Sequence, residues 1–99
     1  MVDQEDNNDP VKFEISSELD LHTFRPDEVS ELVADYVAIC QDRDILRVRI
    51  IHGKGMGTLR ETVHAVLKKD SRIDRFELAS YQEGGWGATI AWLQKSSKL

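Results

Sequence analysis

The chain has 99 residues, 40% of them apolar and 31% charged, with a formal net charge of −5. That length holds one domain with a modest core and is too short for two, and the composition excludes a disordered or fibrous polymer. No run approaches the roughly 20 apolar residues of a membrane helix, and the single cysteine, Cys40, can neither close an internal disulfide nor build a multi-cysteine zinc site.

Residues 1–10 carry Asp3, Glu5, Asp6 and Asp9, hold no apolar segment and end at Pro10. They are read as a mobile acidic tail, with no secretory signal and a cytoplasmic location. Val11, Phe13 and Ile15 alternate with polar residues, which predicts an extended arm over 11–18 packing on a domain that occupies 19–95. Leu19 and Leu21 alternate with Asp20 and His22, the pattern of a half-buried strand. Pro26 suits the first turn of a helix, and Asp27 and Glu28 follow where the helix dipole favours negative charge. Val29, Leu32, Val33, Tyr36, Val37 and Cys40 then recur at helical spacing, so 26–42 is predicted as an amphipathic helix with Cys40 in the core.

Ile45 to Ile51 is β-rich, and Gly53-Lys54-Gly55-Met56-Gly57 breaks it. Leu59, Val63, Val66 and Leu67 mark a second helix over 58–69. A third strand is expected near 74–80 from Phe76 and Leu78, and a fourth over 88–93 after the turn Gly84-Gly85-Trp86-Gly87. The order β-α-β-α-β-β implies a parallel strand pair joined by a right-handed crossover. The short link between the last two strands implies antiparallel pairing there. The expected fold class is therefore α/β: a two-layer sandwich with a four-stranded mixed sheet and two helices.

Charge is uneven along the chain. Residues 1–31 hold ten acids and two bases, whereas residues 32–99 hold eight acids and eleven bases. The glycine-rich region thus lies in a basic context, which suits weak, salt-sensitive contact with phosphates.

Ligands of open α/β sheets gather at the carboxyl ends of the parallel strands. His22 ends the first strand and His52 the second, and Asp20 points to the same side of its strand as His22. Two histidines with a carboxylate that orients one of them suffice for general acid–base cleavage of RNA, whose 2′-hydroxyl is the nucleophile. The plain alternative is that each histidine is merely a strand-end residue with local hydrogen bonds. In His52-Gly53-Lys54-Gly55-Met56-Gly57, glycines let backbone N–H groups approach an anion and the following helix start adds positive charge. Lys54 and Arg60 supply full charges. The spacing fits neither a Walker loop nor a dinucleotide fingerprint, and a ligand-free turn is the alternative.

His64, four residues from both Arg60 and Lys68, reads as part of a solvated basic stripe. Trp92 reads as packing, and Trp86 as packing or as a platform for a base. Asp20, His22 and His52 make a thin case for a divalent ion, so no metal site and no cofactor are predicted and the metal requirement is left open.

These motifs resemble the Smr (small MutS-related) family in its stand-alone bacterial form. Leu19-Asp20-Leu21-His22 is similar to its LDLH motif. Ile51-His52-Gly53-Lys54-Gly55 with Gly57, Leu59 and Arg60 is similar to its IHGKG-x-G-x-LR motif, and Gly84-Gly85-Trp86-Gly87-Ala88-Thr89-Ile90 to its C-terminal GG-x-GAT segment. The resemblance runs from about Leu19 to Leu93. It implies a sandwich similar to the C-terminal domain of a bacterial translation initiation factor. It also implies work on nucleic acid, since some members nick DNA and others cleave RNA, including messenger RNA on stalled ribosomes.

Carried over by motif, Asp20, His22 and His52 are catalytic candidates. Gly53, Lys54, Gly55, Gly57 and Arg60, with Trp86, are nucleic-acid contacts. Two departures stand out: Thr23 follows the first histidine where many members have glycine, and Arg25 stands where a capping Ser or Thr is expected. The expected function is an endoribonuclease acting on ribosome-associated RNA by His/Asp chemistry, with RNA as partner and neither membrane nor small-molecule cofactor. A non-catalytic nucleic-acid or ribosome-binding module and a DNA-nicking endonuclease of repair or recombination are the alternatives.

Overall fold

The structure, a computed structural model, describes residues 15–55 and 57–96. The acidic tail and the first part of the arm lie outside them. In chain order the elements are β1 (Glu18–Asp20), α1 (Pro26–Asp42), β2 (Arg47–Ile51), α2 (Thr58–Lys69), β3 (Ile73–Leu78), two 3₁₀ turns at Tyr81–Glu83 and Gly85–Gly87, and β4 (Ala88–Leu93). The sheet order is β1-β2-β4-β3. β1 and β2 are parallel, with Asp20 beside Ile51. β4 is antiparallel to both β2 and β3. The two-layer α/β sandwich expected from the sequence is the fold observed.

Both helices take the bounds their periodicity predicts. Arg25 caps α1 without a side-chain acceptor, but Glu28 Oε1 reaches back to accept the Arg25 N–H at 2.9 Å, so half of a capping box replaces the missing Ser or Thr. β2 starts two residues later than expected. The Ile45 N–H is still committed to the end of α1, donating to Cys40 O at 2.8 Å, and Asp44 turns the chain at φ 60°. β3 is shifted towards the N-terminus and carries a register irregularity between Ile73 and Arg75.

Val29, Val33, Val37 and Cys40 of α1 meet Val63 and Leu67 of α2 over Leu21, Val48, Ile50, Ala91 and Leu93 of the sheet. All of these are buried, and the alternate residues of β2 and β4 face the other side. There Trp92 is not part of the core: Arg75 lies 3.7 Å and Arg47 5.6 Å from its ring centroid, one from each neighbouring strand. The residues before β1 continue its pairing, with the Arg49 N–H donating to Ser17 O at 2.8 Å. Ile15 packs on the core, and the Tyr36 hydroxyl donates to Ser16 O at 2.6 Å.

This topology has one consequence for function. Parallel β1 and β2 end at the same rim, and antiparallel β4 begins there, with Ala88 opposite Ile51. Three segments far apart in sequence therefore meet at one place: Asp20–His22, His52–Gly57 and Gly84–Thr89.

Candidate nucleic-acid site at the sheet rim

Leu21 is fully buried, and its N–H donates to Ile51 O at 2.8 Å, which anchors the exit of β1 beside the end of β2. A tight turn follows in which the Phe24 N–H returns to Leu21 O at 2.9 Å. Asp44 is the non-glycine residue found at positive φ among the described residues, so Thr23 completes this turn without the conformation that a glycine would supply.

Asp20 Oδ1 accepts twice from His22, from the backbone N–H at 3.0 Å and from ring Nδ1 at 2.6 Å. Those two bonds, the backbone one foremost, hold the Asp20 carboxyl below its ordinary range. Facing a carboxylate, Nδ1 carries a proton. Nε2 is then the ring nitrogen left able to accept a proton, on a side chain 64% exposed.

His52 is held differently. It is 4% exposed. Its Nδ1 lies 3.3 Å from Gly53 O, and its Nε2 lies 2.8 Å from Thr89 Oγ1. Burial lowers its pKa from the ordinary 6.5; the bond to the Gly53 carbonyl opposes this, and the proximity of His64 and Arg60 adds to the lowering. Both ring nitrogens are thus engaged within the protein, in contrast to His22.

Sequence reasoning passed over two members of this site. Thr89 is fully buried, and its hydroxyl also meets His64 Nε2 at 2.7 Å. His64 is not part of a solvated stripe: it faces the sheet, 5.0 Å from the Phe76 ring and 6.0 Å, edge-on, from the His52 ring. The available signal was its place beside Val63 and three residues before Leu67, on the buried side of α2.

In the glycine loop, the N–H groups of His52 and Gly53 both donate to Gly87 O, at 3.0 and 2.8 Å. The Gly53 N–H is therefore engaged within the protein, and the anion cradle expected from the sequence loses that donor. Gly53 has φ 86°. Gly57, at φ 88°, is the N-cap of α2, and the Arg60 guanidinium folds back to within 2.7 Å of where a Cβ would stand. Only glycine allows that approach. Gly55 differs from both, with open space where a side chain would project.

His22, His52, Gly53, Gly55, Gly57 and Arg60, together with Thr58 and Leu59, line a cleft of about 340 Å³. Lys54 leaves this lining: its chain crosses Gly87, and its ammonium lies 5.4 Å from the centroid of Trp86, which is 60% exposed. A larger groove of about 670 Å³ between the helices passes Ser30, Lys69 and Arg72 and contains none of the predicted residues. Among the described residues, no three His, Cys, Asp or Glu side chains gather as a metal site. Among them, too, no helix is long and apolar enough to cross a membrane.

A two-layer α/β domain with histidines and a glycine loop at the end of a parallel strand pair is the class that fold and site define together. Residues 19–94 match the Smr domain, and the chain belongs to that family. It is similar to Endonuclease MutS2 of Gemmatimonas aurantiaca, with 43% identity over 77% of this chain and 9% of that protein. It is likewise similar to Endonuclease MutS2 of Finegoldia magna, with 38% identity over 82% of this chain and 10% of the relative. The chain thus spans about a tenth of the length of these relatives.

Among solved structures it resembles the Smr domain of Thermus thermophilus MutS2, with TM-score 0.75 and 31% identity over 78% of this chain and 96% of that one. It also resembles YdaL, a stand-alone small MutS-related protein from Escherichia coli, with TM-score 0.75 and 25% identity over 80% of this chain and 65% of that one.

Proposed function

We propose that the chain is an endoribonuclease whose chemistry is carried by the Asp20–His22 pair. The observation behind this reading is the 2.6 Å contact between Asp20 Oδ1 and His22 Nδ1, with the ring standing at the edge of a cleft that also holds Arg60. The carboxylate fixes the tautomer, so the exposed Nε2 is the acceptor. It takes the proton of a ribose 2′-hydroxyl as that oxygen attacks the adjacent phosphorus. The 5′-oxygen leaves and takes a proton from water at the open rim. The products are a 2′,3′-cyclic phosphate and a 5′-hydroxyl.

Arg60 supplies positive charge to the phosphate, beside the start of α2, where the dipole adds to it. Trp86, exposed and in contact with Lys54, offers a flat face for a neighbouring base. His52 shapes the cleft floor and the loop and is assigned no proton transfer. Ribosome-associated RNA remains the proposed substrate.

The test is incubation of the protein with end-labelled RNA, with Mg²⁺ and with chelator, and analysis of the product ends. Cyclic phosphate ends that persist in chelator are expected. Cleavage of an all-DNA copy at the same sites would overturn the 2′-hydroxyl mechanism, because DNA lacks that nucleophile. The name of the MutS2 relatives, endonuclease, keeps a DNA-nicking activity as the second reading.

A further inference from the structure

Behind the cleft, three polar side chains from three elements form a line: His52 at the end of β2, Thr89 in β4 and His64 in α2. We propose that His64 is a positioning residue: through the Thr89 hydroxyl it fixes the tautomer of His52, and through His52 the orientation of the Gly53 peptide at the mouth of the cleft.

The direction of this chain follows from what each group can do. Gly53 O lies 3.3 Å from His52 Nδ1, and a carbonyl can only accept, so Nδ1 carries the proton. In a neutral ring Nε2 is then an acceptor. It faces Thr89 Oγ1 at 2.8 Å, so the hydroxyl donates to it. That hydroxyl has one hydrogen, which is now committed, and the second ring 2.7 Å away must donate to its oxygen. His64 therefore carries its proton on Nε2. All four groups are assigned, and reversing any one bond would set two donors or two acceptors against each other. Thr89 is wholly buried, so water is not at hand to repair such a conflict.

The downstream end of the line lies in the loop. The C=O and N–H of a trans peptide point in opposite directions. A Gly53 carbonyl drawn to the His52 ring therefore turns the Lys54 N–H outward, away from the ring. Gly53 has φ 86°, and its N–H is held by Gly87 O at 2.8 Å, so the backbone bond fixes the peptide before Gly53 and the ring bond the one after it. The rest of the setting is neutral or cationic. Arg60 acts on both rings, and Phe76 covers one side of His64. This favours a neutral relay, in agreement with the lowering of both histidines by burial.

The readout of activity rests on the endonuclease reading; the readout of tautomers does not. Long-range ¹H–¹⁵N spectra of the full chain at pH 7.5 should show His52 protonated on Nδ1 and His64 on Nε2. His64→Gln keeps an N–H at the Nε2 position and should preserve the His52 pattern and the cleavage rate. His64→Leu removes the donor. It should turn the His52 ring into a mixture of tautomers and lower kcat about tenfold, as for a slight misplacement of a reacting group, while KM changes little. Thr89→Ser should behave as wild type. The proposal is overturned if wild-type His52 carries its proton on Nε2. It is also overturned if His64→Leu leaves the spectrum unchanged, or if His64→Gln and His64→Leu lose activity equally at equal melting temperature. If no RNA is cleaved at all, the function reading fails and the spectra still decide the relay.

Discussion

His22 and His52 end neighbouring parallel strands and line the same cleft, yet their surroundings are opposite. His22 has one nitrogen against a carboxylate and the rest of its ring in solvent. His52 is buried, with a carbonyl on one nitrogen and a hydroxyl on the other. The contrast shows that the position of a histidine does not define its chemistry. What decides is whether one nitrogen is left to exchange a proton with something that arrives. On the mechanism proposed above, the rim has a working half at β1 and a bracing half at β2, β4 and α2.

The sharpest way to break this comparison is to remove each ring in turn. His22→Ala should abolish cleavage, a loss of at least about a hundredfold for a general base. Its melting temperature should stay within about 2–3 °C of wild type, since exposed side chains contribute little to stability. His52→Phe should lose both together. It strips partners from Thr89 and Gly53, and an unsatisfied buried group costs about 1–3 kcal/mol, or roughly 5–15 °C in a domain of this size. Parallel cleavage and melting curves check both. If His52→Phe melts normally but cannot cleave, His52 is a catalytic group and the division between the halves is wrong.

Protonation offers a milder version of the same test. Burial lowers His52 and His64 below their ordinary 6.5, so the unfolded chain binds protons first as pH falls. Stability from these groups is complete above about 6.5 and declines as pH drops through their folded values. Asp70, held low chiefly by its side-chain bonds from Arg72, loses its contribution only below its ordinary 3.8. The melting temperature should therefore fall by a few degrees between pH 7.5 and 5, and by less in His64→Gln. A rise over that interval would contradict the burial argument.

How much of this was legible in the sequence depends on the distance over which each feature is determined. The bounds of α1 and α2 follow from apolar spacing and from breakers a few residues away, and the sequence shows both. The meeting of Asp20, His22 and His52 at one rim follows from parallel pairing, which the strand-helix-strand order implies. Thr89 was not legible, because only the register of β4 against β2 and the approach of α2 make it a shared partner. His64 escapes the sequence for a related reason. Its spacing from Arg60 and Lys68 is a local pattern, and the packing that turns it towards Phe76 is not. The Gly53 N–H is likewise accounted for by Gly87, 34 residues on in the numbering.

A smaller effect separates the two glycines of the loop. Gly53→Ala forces a side chain into positive φ, a strain of about 1–2 kcal/mol, and should lower the melting temperature by roughly 5–10 °C. Gly55→Val meets open space and should melt nearly as wild type. Any loss of RNA cleavage or binding in Gly55→Val then reports obstruction at the cleft rather than unfolding. A stable, fully active Gly55→Val would remove this loop from the substrate path.

The smallest expected effect belongs to Lys54, and it asks whether the working half extends to the β4 turn. Lys54 is absent from the cleft lining and leans on Trp86 instead. A cation over an exposed ring contributes about 0.5–1 kcal/mol, too little to organise the turn, so Lys54→Ala should lower the melting temperature by no more than about 2–5 °C. If the ammonium meets one phosphate of the strand on either side of the cut, its loss reduces counterion release by one contact. The slope of log affinity against log salt then falls by about 0.7 for a single strand. Trp86→Ala should weaken binding by about 1–3 kcal/mol with the salt slope unchanged, because stacking releases no ions. The two effects differ in kind as well as size, and titrations at three salt concentrations separate them. A Lys54→Ala slope equal to wild type would place the nucleic acid on the His22 and Arg60 side alone.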